Sequence, residues 1–375
     1  MSGIRMVSII PYKILPARLG GEKGIALFNE YIGTLIPITA IGTRNNGIAE
    51  AKNYEILNIL SNSRLRYINI FLYFTIRSLI KQEQATHLLI EHPYYGWLAW
   101  LLKKTMAITW VVHSHNIEFE RSRSIGRWWW KALKWYEQWV YKRADINFFI
   151  SEDDRRYAIE KLGVSASKSF AITYGVEIPG IPTDLNECKQ KVLKKHAVHP
   201  GEKILLFNGA LYHHTNYNAL QVILDIVNPI LLKQPELSYK IIVCGKGLPD
   251  FFNELKEYTG RNIIYAGFVE DISVYFKAAD LFLNPIISGG GVKTKAIEAI
   301  AYNCPVVSTR IGALGLVQNI CGNQLKVVDD NAWEEFAIEV LQSLKQAGTT
   351  PESFYQYYYW GNISKKVVAI LNGNS

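Results

Sequence analysis

From Asn284 to Gly315 the chain reads NPIISGGGVKTKAIEAIAYNCPVVSTRIGALG: a strand end, three glycines, a helix with one carboxylate, and a second strand. Gly289, Gly290 and Gly291 leave backbone N–H groups uncovered, and the helix after them points its positive end at the same place, so the expected ligand is an anion. Lys293 and Lys295 stand where a cation could meet that anion. Glu298 follows inside the helix, where a carboxylate can accept hydrogen bonds from two vicinal hydroxyls such as those of a ribose. Together these are the needs of a nucleotide carrying a diphosphate and a sugar.

A second polar group closes an apolar run in the first half, ITWVVHSHNIEFER, with His113, His115, Asn116 and Glu118 in quick succession. Polar residues gather in this way where a parallel sheet meets its ligand site. His113 and His115 compete for one catalytic role. A third stretch, RSRSIGRWWWKALKWYEQWVYKR at 121–143, carries seven Lys+Arg against one Glu and five tryptophans. Trp128, Trp129 and Trp130 beside Arg127 and Lys131 suit a lipid headgroup interface or an acceptor. Leu133, Tyr136, Trp139 and Val140 suit a stripe facing the core. Single-stranded nucleic acid also favours cations mixed with rings, but no recognised binding module surrounds these, and nucleic acid is not an expected partner.

These groups need a scaffold of more than one domain, because 375 residues exceed a typical single core. Strands are predicted at Arg5 to Ile10, Ile36 to Ala40, His87 to Glu91, Ala107 to His113 and Ala144 to Ser151. The series restarts at Ile204 and continues through Tyr239 to Gly245, Ile263 to Gly267, Leu281 to Pro285 and Pro305 to Thr309. Helical patterns between the strands give the rhythm of parallel sheets with crossovers. Turn formers between Tyr174 and Lys191 mark a linker, so domains are expected at 1–180 and 181–375. After the first strand, Gly20 and Gly21 precede a helix predicted to start near Lys23, and read equally as a plain turn or a phosphate loop.

The cysteines, Cys188, Cys244, Cys304 and Cys321, have no metal spacing and read as free thiols. No secretory signal opens the chain, and the most apolar early run, Tyr67 to Ile80, is interrupted by Arg77 and is too short to span a bilayer. A cytoplasmic protein, peripheral on the inner face of the membrane, is the expectation. Residues 1–180 hold 23 Lys+Arg against 15 Asp+Glu, and residues 181–375 hold 18 of each. All the excess positive charge is therefore in the first half, where it favours an acidic partner such as an anionic membrane surface.

From Asn262 to Leu316 the chain closely resembles the donor half of the GT-B glycosyltransferases of family 4. YGVEIP at 174–179, FNGAL at 207–211 and a C-terminal helix opening at Trp360 extend the resemblance over nearly the whole chain. It implies an α/β fold of GT-B type, two Rossmann-like parallel-sheet domains facing a central cleft, with acceptor binding in the first and donor binding in the second. The C-terminal helix is expected to cross back to the first domain. Glu298 matches the second of the family's two glutamates, the one that holds the nucleotide ribose. The first would stand eight residues earlier, where this chain has Gly290. The family's Arg and Lys after the first strand of the second domain are missing from FNGALYHHTNYNAL. Lys293, Lys295 and Lys246 are the candidates to replace them, with Gly209 allowing close backbone approach.

The resemblance implies transfer of a sugar, with retention, from a nucleoside-diphosphate sugar to a lipid-linked or glycan acceptor. No metal or other cofactor is required, since lysines and helix N-termini can neutralise the leaving diphosphate. The missing glutamate and Arg/Lys pair motivate a rival reading, a non-catalytic GT-B scaffold that binds nucleotide sugar or glycan. A dinucleotide oxidoreductase is excluded, because no GxGxxG follows the first strand with an acid about 20 residues on.

Overall fold

The computed structural model describes residues 3–346 and 348–373, and these form two compact units. The first comprises the chain through Glu177 and the segment from Trp360 onward, and the second is Ile178–Tyr359.

Unit 1 is built on β1 (Met6–Ile9), β2 (Ile38–Thr43), β3 (Glu55–Leu60), β4 (His87–Glu91), β5 (Thr109–Ser114), β6 (Ile146–Phe149) and β7 (Ser169–Ala171). Their order is β3-β2-β1-β4-β5-β6-β7, and every neighbouring pair is parallel. Parallel strands joined by crossovers are covered on both faces, so the central strands must be apolar throughout. β1, β2 and β4 are buried at every residue. One face carries the large core in which Val7, Leu88, Trp110 and Val112 meet residues of the helices Leu72–Gln82, Gly96–Thr105, Trp130–Arg143 and Glu152–Leu162. Gly96 permits the close approach of two of these helices, since a Cβ there would lie 2.2 Å from Val140 Cγ2.

On the other face a smaller core joins Ile25 and Ala26 of the Gly20–Gly33 helix to Ile10, Ala40 and Ile56. That helix starts three residues before the predicted Lys23. Glu22 Oε2 accepts from Arg18 N–H (2.7 Å) and Leu19 N–H (3.1 Å), which ties the approaching chain to the first turn. The helix Trp360–Leu371 packs beside it. Trp360 donates its backbone N–H to Val176 O (2.9 Å), and its buried ring stacks on Tyr31 and meets Phe28 and Tyr174 edge-on. Gly175 leaves room for it, because a Cβ there would be 2.6 Å from Trp360 Cδ2.

Unit 2 holds β8 (Lys203–Asn208), β9 (Tyr239–Cys244), β10 (Ile263–Gly267), β11 (Leu281–Asn284), β12 (Val306–Thr309) and β13 (Leu325–Val328). They form a six-stranded, all-parallel sheet in the order β10-β9-β8-β11-β12-β13. The two sheets and their surrounding helices are Rossmann-like. All four cysteines are free and buried. The predicted linker is shorter than its composition suggested, because Leu185–His196 is a helix.

The strands absent from the sequence reading are β3, β7 and β13, each at the edge of its sheet. Burial is interrupted along all three, which removes the continuous apolar run by which the central strands are found; the remaining edge strand, β10, keeps the apolar start IIY and is among the predicted strands.

Trp360→Ala is expected to destabilise unit 1 by about 3–5 kcal/mol, the usual cost of emptying a buried tryptophan site, as measured by denaturant unfolding followed by circular dichroism. Gly175→Ala should lower stability through the clash with Trp360.

Candidate functional site

The glycine loop of unit 2 leaves β11 and enters the helix Thr294–Ala301. Gly289 (φ +86°) and Gly291 (φ +74°) occupy backbone conformations that favour glycine. The loop is pinned from below. Asn284 Nδ2 donates to Ser308 Oγ (3.0 Å) and Gly312 O (2.7 Å), and Thr309 Oγ1 donates to Ile286 O. Gly289 and Gly290 remain exposed.

Lys293 Nζ donates back to Gly289 O at 2.6 Å. Lys295 Nζ reaches the end of β8, donating to Asn208 O (2.9 Å) and to Asn216 Oδ1 (3.0 Å). Burial lowers both ammonium groups to about 8; at Lys295 the carboxylate of Glu298 acts against this and the charge of Lys293 adds to it. Two desolvated cations beside the exposed Gly289 and Gly290 and a helix N-terminus are a setting in which an anion would lower the cost of keeping the lysines charged. Glu298 is half-buried in the second turn of the same helix.

Gly209, expected to allow close approach of a ligand, has the protein's own groups beside it: a Cβ there would lie 2.7 Å from Lys295 Nζ and 2.8 Å from Asn216 Cγ. Lys246, in the loop after β9, is exposed.

In unit 1, adjacent strands bring together residues far apart in sequence. Glu91 ends β4 and is in register with His113 on β5. Glu91 Oε2 lies 2.6 Å from His115 Nε2, in hydrogen-bond contact, and 3.0 Å from His113 Nδ1, which is off-line for a hydrogen bond. Burial drives the His113 imidazole down to about 4 against the pull of Glu91, so this ring is neutral at pH 7. Burial opposes ionisation of Glu91 too, but its contacts with the two histidines outweigh it and hold the carboxyl below the usual range. His113 is enclosed, with Phe28 at 4.3 Å between ring centroids, whereas His115 is 10% exposed at its side chain.

His92 follows with φ +64° and places its Nδ1 3.1 Å from Glu118 Oε1, while the Tyr12 hydroxyl is 2.8 Å from its Nε2. The His92 and His115 rings are 4.8 Å apart. Beneath them Glu137, fully buried, accepts from Glu118 N–H, Phe119 N–H and the Tyr141 hydroxyl, which fixes the start of the Glu118–Ser124 helix. Burial raises the Glu137 carboxyl to about 7.

Among the described residues Glu91, His113 and His115 also have the donor types and spacing of a metal site, all within 4.8 Å. At 2.6 Å Glu91 Oε2 is also in hydrogen-bond contact with His115 Nε2.

The structure thus groups Gly289, Gly290, Gly291, Lys293, Lys295 and Glu298 on one loop and helix, and His113 and His115 at one strand end. Gly20 and Gly21 open their helix, and a Cβ on Gly21 would meet nothing within 4 Å. In the tryptophan run, Trp128 is 89% exposed while Trp130 packs on the core with Arg123 and Lys131 over its ring. Leu133, Tyr136 and Trp139 also pack on that core. Glu91, His92 and Tyr12 escaped the sequence reading. A charged pair closing the apolar run HLLI was the available signal for Glu91 and His92, and Tyr12 had none.

Two all-parallel Rossmann-like units with polar loops of this kind define the GT-B class. Residues 43–178 match the family model for Glycosyltransferase Family 4, and residues 202–346 match that for glycosyl transferases group 1. The chain belongs to this family of glycosyltransferases. An uncharacterized 44.6 kDa protein in cps region of Klebsiella pneumoniae is 32% identical over 180 residues, 44% of this chain and 44% of that relative, so the match spans less than half of the relative's length. The O-antigen biosynthesis glycosyltransferase WbnH of Escherichia coli is 23% identical over 266 residues, covering 70% of this chain and 69% of WbnH. Among solved structures, Anabaena Alr3699/HepE in complex with UDP-glucose superposes with a TM-score of 0.69 at 15% identity, over 99% of this chain and 100% of that one.

Glu91→Gln keeps the shape of the side chain but removes the charge facing His115. Turnover should fall by about 10²-fold, the scale of losing a positioned acid–base group, with the KM for the sugar donor unchanged. Equal losses in kcat and donor affinity would assign Glu91 a structural role instead.

Proposed function

We propose that this glycosyltransferase moves a sugar from a nucleoside-diphosphate sugar, with retention of configuration, to a lipid-linked or glycan acceptor in cell-surface polysaccharide or glycolipid synthesis. The observation that carries the donor half is the pair of desolvated lysines at the glycine loop, Lys293 and Lys295. On this reading their ammonium groups and the N–H groups of Gly289 to Gly291 hold the diphosphate and neutralise it as it leaves, without a divalent ion. Glu298 accepts hydrogen bonds from the ribose hydroxyls. Lys246 lies on the loop after β9 and adds positive charge to that edge of the sheet. The complex of HepE with UDP-glucose supports a donor of this class, and O-antigen biosynthesis by WbnH supports the setting.

During transfer the bond from the anomeric carbon to the diphosphate breaks, the acceptor oxygen bonds to the same face, and the acceptor hydroxyl's proton passes to the departing diphosphate oxygen. In unit 1, His115 has the exposure needed to touch substrate, whereas the enclosed, neutral His113 is a positioning residue. With Glu91 behind it, His115 orients the acceptor or sugar and stabilises the developing cationic ring. At the start of the helix opened by Gly20 and Gly21, Gly21 leaves space for a substrate to approach.

A panel of UDP-, GDP- and ADP-sugars tested by thermal shift and by turnover decides between transfer and a binding scaffold. One donor should both stabilise the protein and be consumed when lipid extract is present. Binding without consumption would favour the scaffold, the alternative that Gly290 in place of a glutamate motivates. Glu298→Ala should abolish the stabilisation by the matching nucleoside diphosphate.

The lysines set the pH dependence. With pKa values lowered to about 8, they are charged below that pH and lose their protons above it. Nucleotide affinity should therefore be level below pH 8 and fall by up to about tenfold per unit above it for each lysine involved. Isothermal titration should show a weaker complex and a shallower slope for Lys295→Met.

A further inference from the structure

The apolar run Tyr67 to Ile80 does not cross a membrane, and no helix among the described residues is long and apolar enough to do so. Its first part, with the residues just before it, instead forms an elbow between β3 and the helix Leu72–Gln82, and the elbow's apolar side chains face outward. Leu65, Ile68, Ile70, Phe71 and Phe74 are each at least 65% exposed. Five large apolar groups within ten residues cost solvation free energy unless something covers them, and such a patch marks an interaction surface.

Three observations say what covers it. The first is charge: between Glu55 and Glu83 the chain has no acidic residue but has Arg64, Arg66, Arg77 and Lys81, and residues 92–117 and 121–136 are likewise free of acids. Those two stretches supply the helix Gly96–Thr105 and the first half of Trp130–Arg143, whose one acid, Glu137, is buried; these helices lie next in the same layer, and Trp128 and Trp135 are exposed along it. A face this basic repels a second copy of itself and attracts an anionic surface. The second is side-chain type: the elbow offers aliphatic and phenylalanine groups that enter an acyl layer, rather than the polar rings and hydrogen-bonding groups with which proteins read nucleic acid.

The third is location. Arg66 Nε donates to Pro11 O (2.8 Å), and Trp97 Nε1 donates to Tyr67 O (2.8 Å), so the elbow is fastened to the carboxyl end of the sheet. From Tyr67 a line of rings runs into the histidine cluster: Tyr67 to Tyr94 at 5.5 Å, Tyr94 stacked on His92 at 5.3 Å, and His92 to His115 at 4.8 Å. An insertion point three ring contacts from His115 is placed to serve an acceptor whose anchor stays in the bilayer.

We propose that the elbow Leu65–Phe74 is the membrane-docking element of this protein, inserting into an anionic phospholipid bilayer and holding the His92 and His115 edge of unit 1 at the headgroup level. It rests on the lipid-linked acceptor of the reading above and names the surface that meets the lipid. Neighbouring cations and the exposed Trp128 contribute at the interface, and the elbow supplies the apolar penetration.

Co-sedimentation with vesicles tests this, using phosphatidylcholine alone and phosphatidylcholine with 30% phosphatidylglycerol, a composition of about this charge being enough for a basic face. The wild-type chain should bind the anionic vesicles and be released by high salt. The double variant Phe71→Ser/Phe74→Ser should partition at least tenfold more weakly, while Trp128→Ser should lose only a few-fold. Both sites are on the surface, and unchanged melting temperatures would confirm intact folding. Absence of binding to anionic vesicles by the wild type would overturn the proposal, as would full binding by the double variant. Stabilisation by nucleoside diphosphate, measured on the same samples without lipid, reports on the donor site alone. Its presence with failed vesicle binding would remove the docking element and leave the glycosyl-transfer reading standing.

Discussion

Every strand in both sheets runs in the same direction as its neighbours, and the placement of chemistry in this molecule follows from that constraint. A parallel strand cannot turn back on itself, so each must be followed by a crossover that covers a face of the sheet. The faces are thereby filled with apolar side chains, and the polar residues that bind or react are confined to the carboxyl ends. In unit 1 those ends carry Tyr12, Glu91, His92 and His115. In unit 2 they carry Asn208, Gly209, Lys246 and the glycine loop at 289–291. Neither group could be moved into a strand without leaving a charge buried between two layers of helix.

Confinement to one edge also explains the electrostatics. The strand end that brings Glu91 beside two histidines removes Glu91 and His113 from water: His113 is neutral through burial, and Glu91 is ionised because its contacts outweigh its desolvation. At the unit 2 edge the same desolvation acts on Lys293 and Lys295, whose nearest hydrogen-bond partners are carbonyl and amide oxygens. Neutral acceptors satisfy the N–H groups but compensate only part of the charge. On the proposed reading a diphosphate supplies the remainder, so the ligand would also raise the pKa of the lysines that hold it. Gly209 belongs to the same device, since any side chain there would push Lys295 away from β8.

How much of this was legible in the sequence depended on whether the signal was local. The central strands were found because burial on both faces writes an unbroken apolar run; β3, β7 and β13 lack that run, whereas β10, also at an edge, was legible from its apolar start IIY and closing glycine. The glycine loop, both lysines and Glu298 fall within ten residues of one another and could be read as one pattern. Glu91 and His115 are 24 residues apart and meet only because β4 and β5 are neighbours in the sheet, a fact set by topology. Gly209 was singled out for a ligand's approach, and its closeness to Lys295 could be read only after β8 and β11 had paired.

The elbow at Leu65–Phe74 shows the same limit from the other side. Tyr67 to Ile80 was visible as the most apolar early stretch, and composition could say only that it was too short to span a bilayer. Periodicity then divides it: Leu72, Ile76, Leu79 and Ile80 fall on the buried face of a helix, while Phe71 and Phe74 fall off that face. Residues 65–70 precede the helix, so no helical stripe can bury them, and Arg66 and Tyr67 hold them against the loop after β1. An apolar surface that was merely incidental would be expected to lie on a mobile margin far from the reactive edge. This one is fastened to the loop next to Tyr12, whose hydroxyl contacts His92, so its position is fixed by the same strand ends that fix the chemistry.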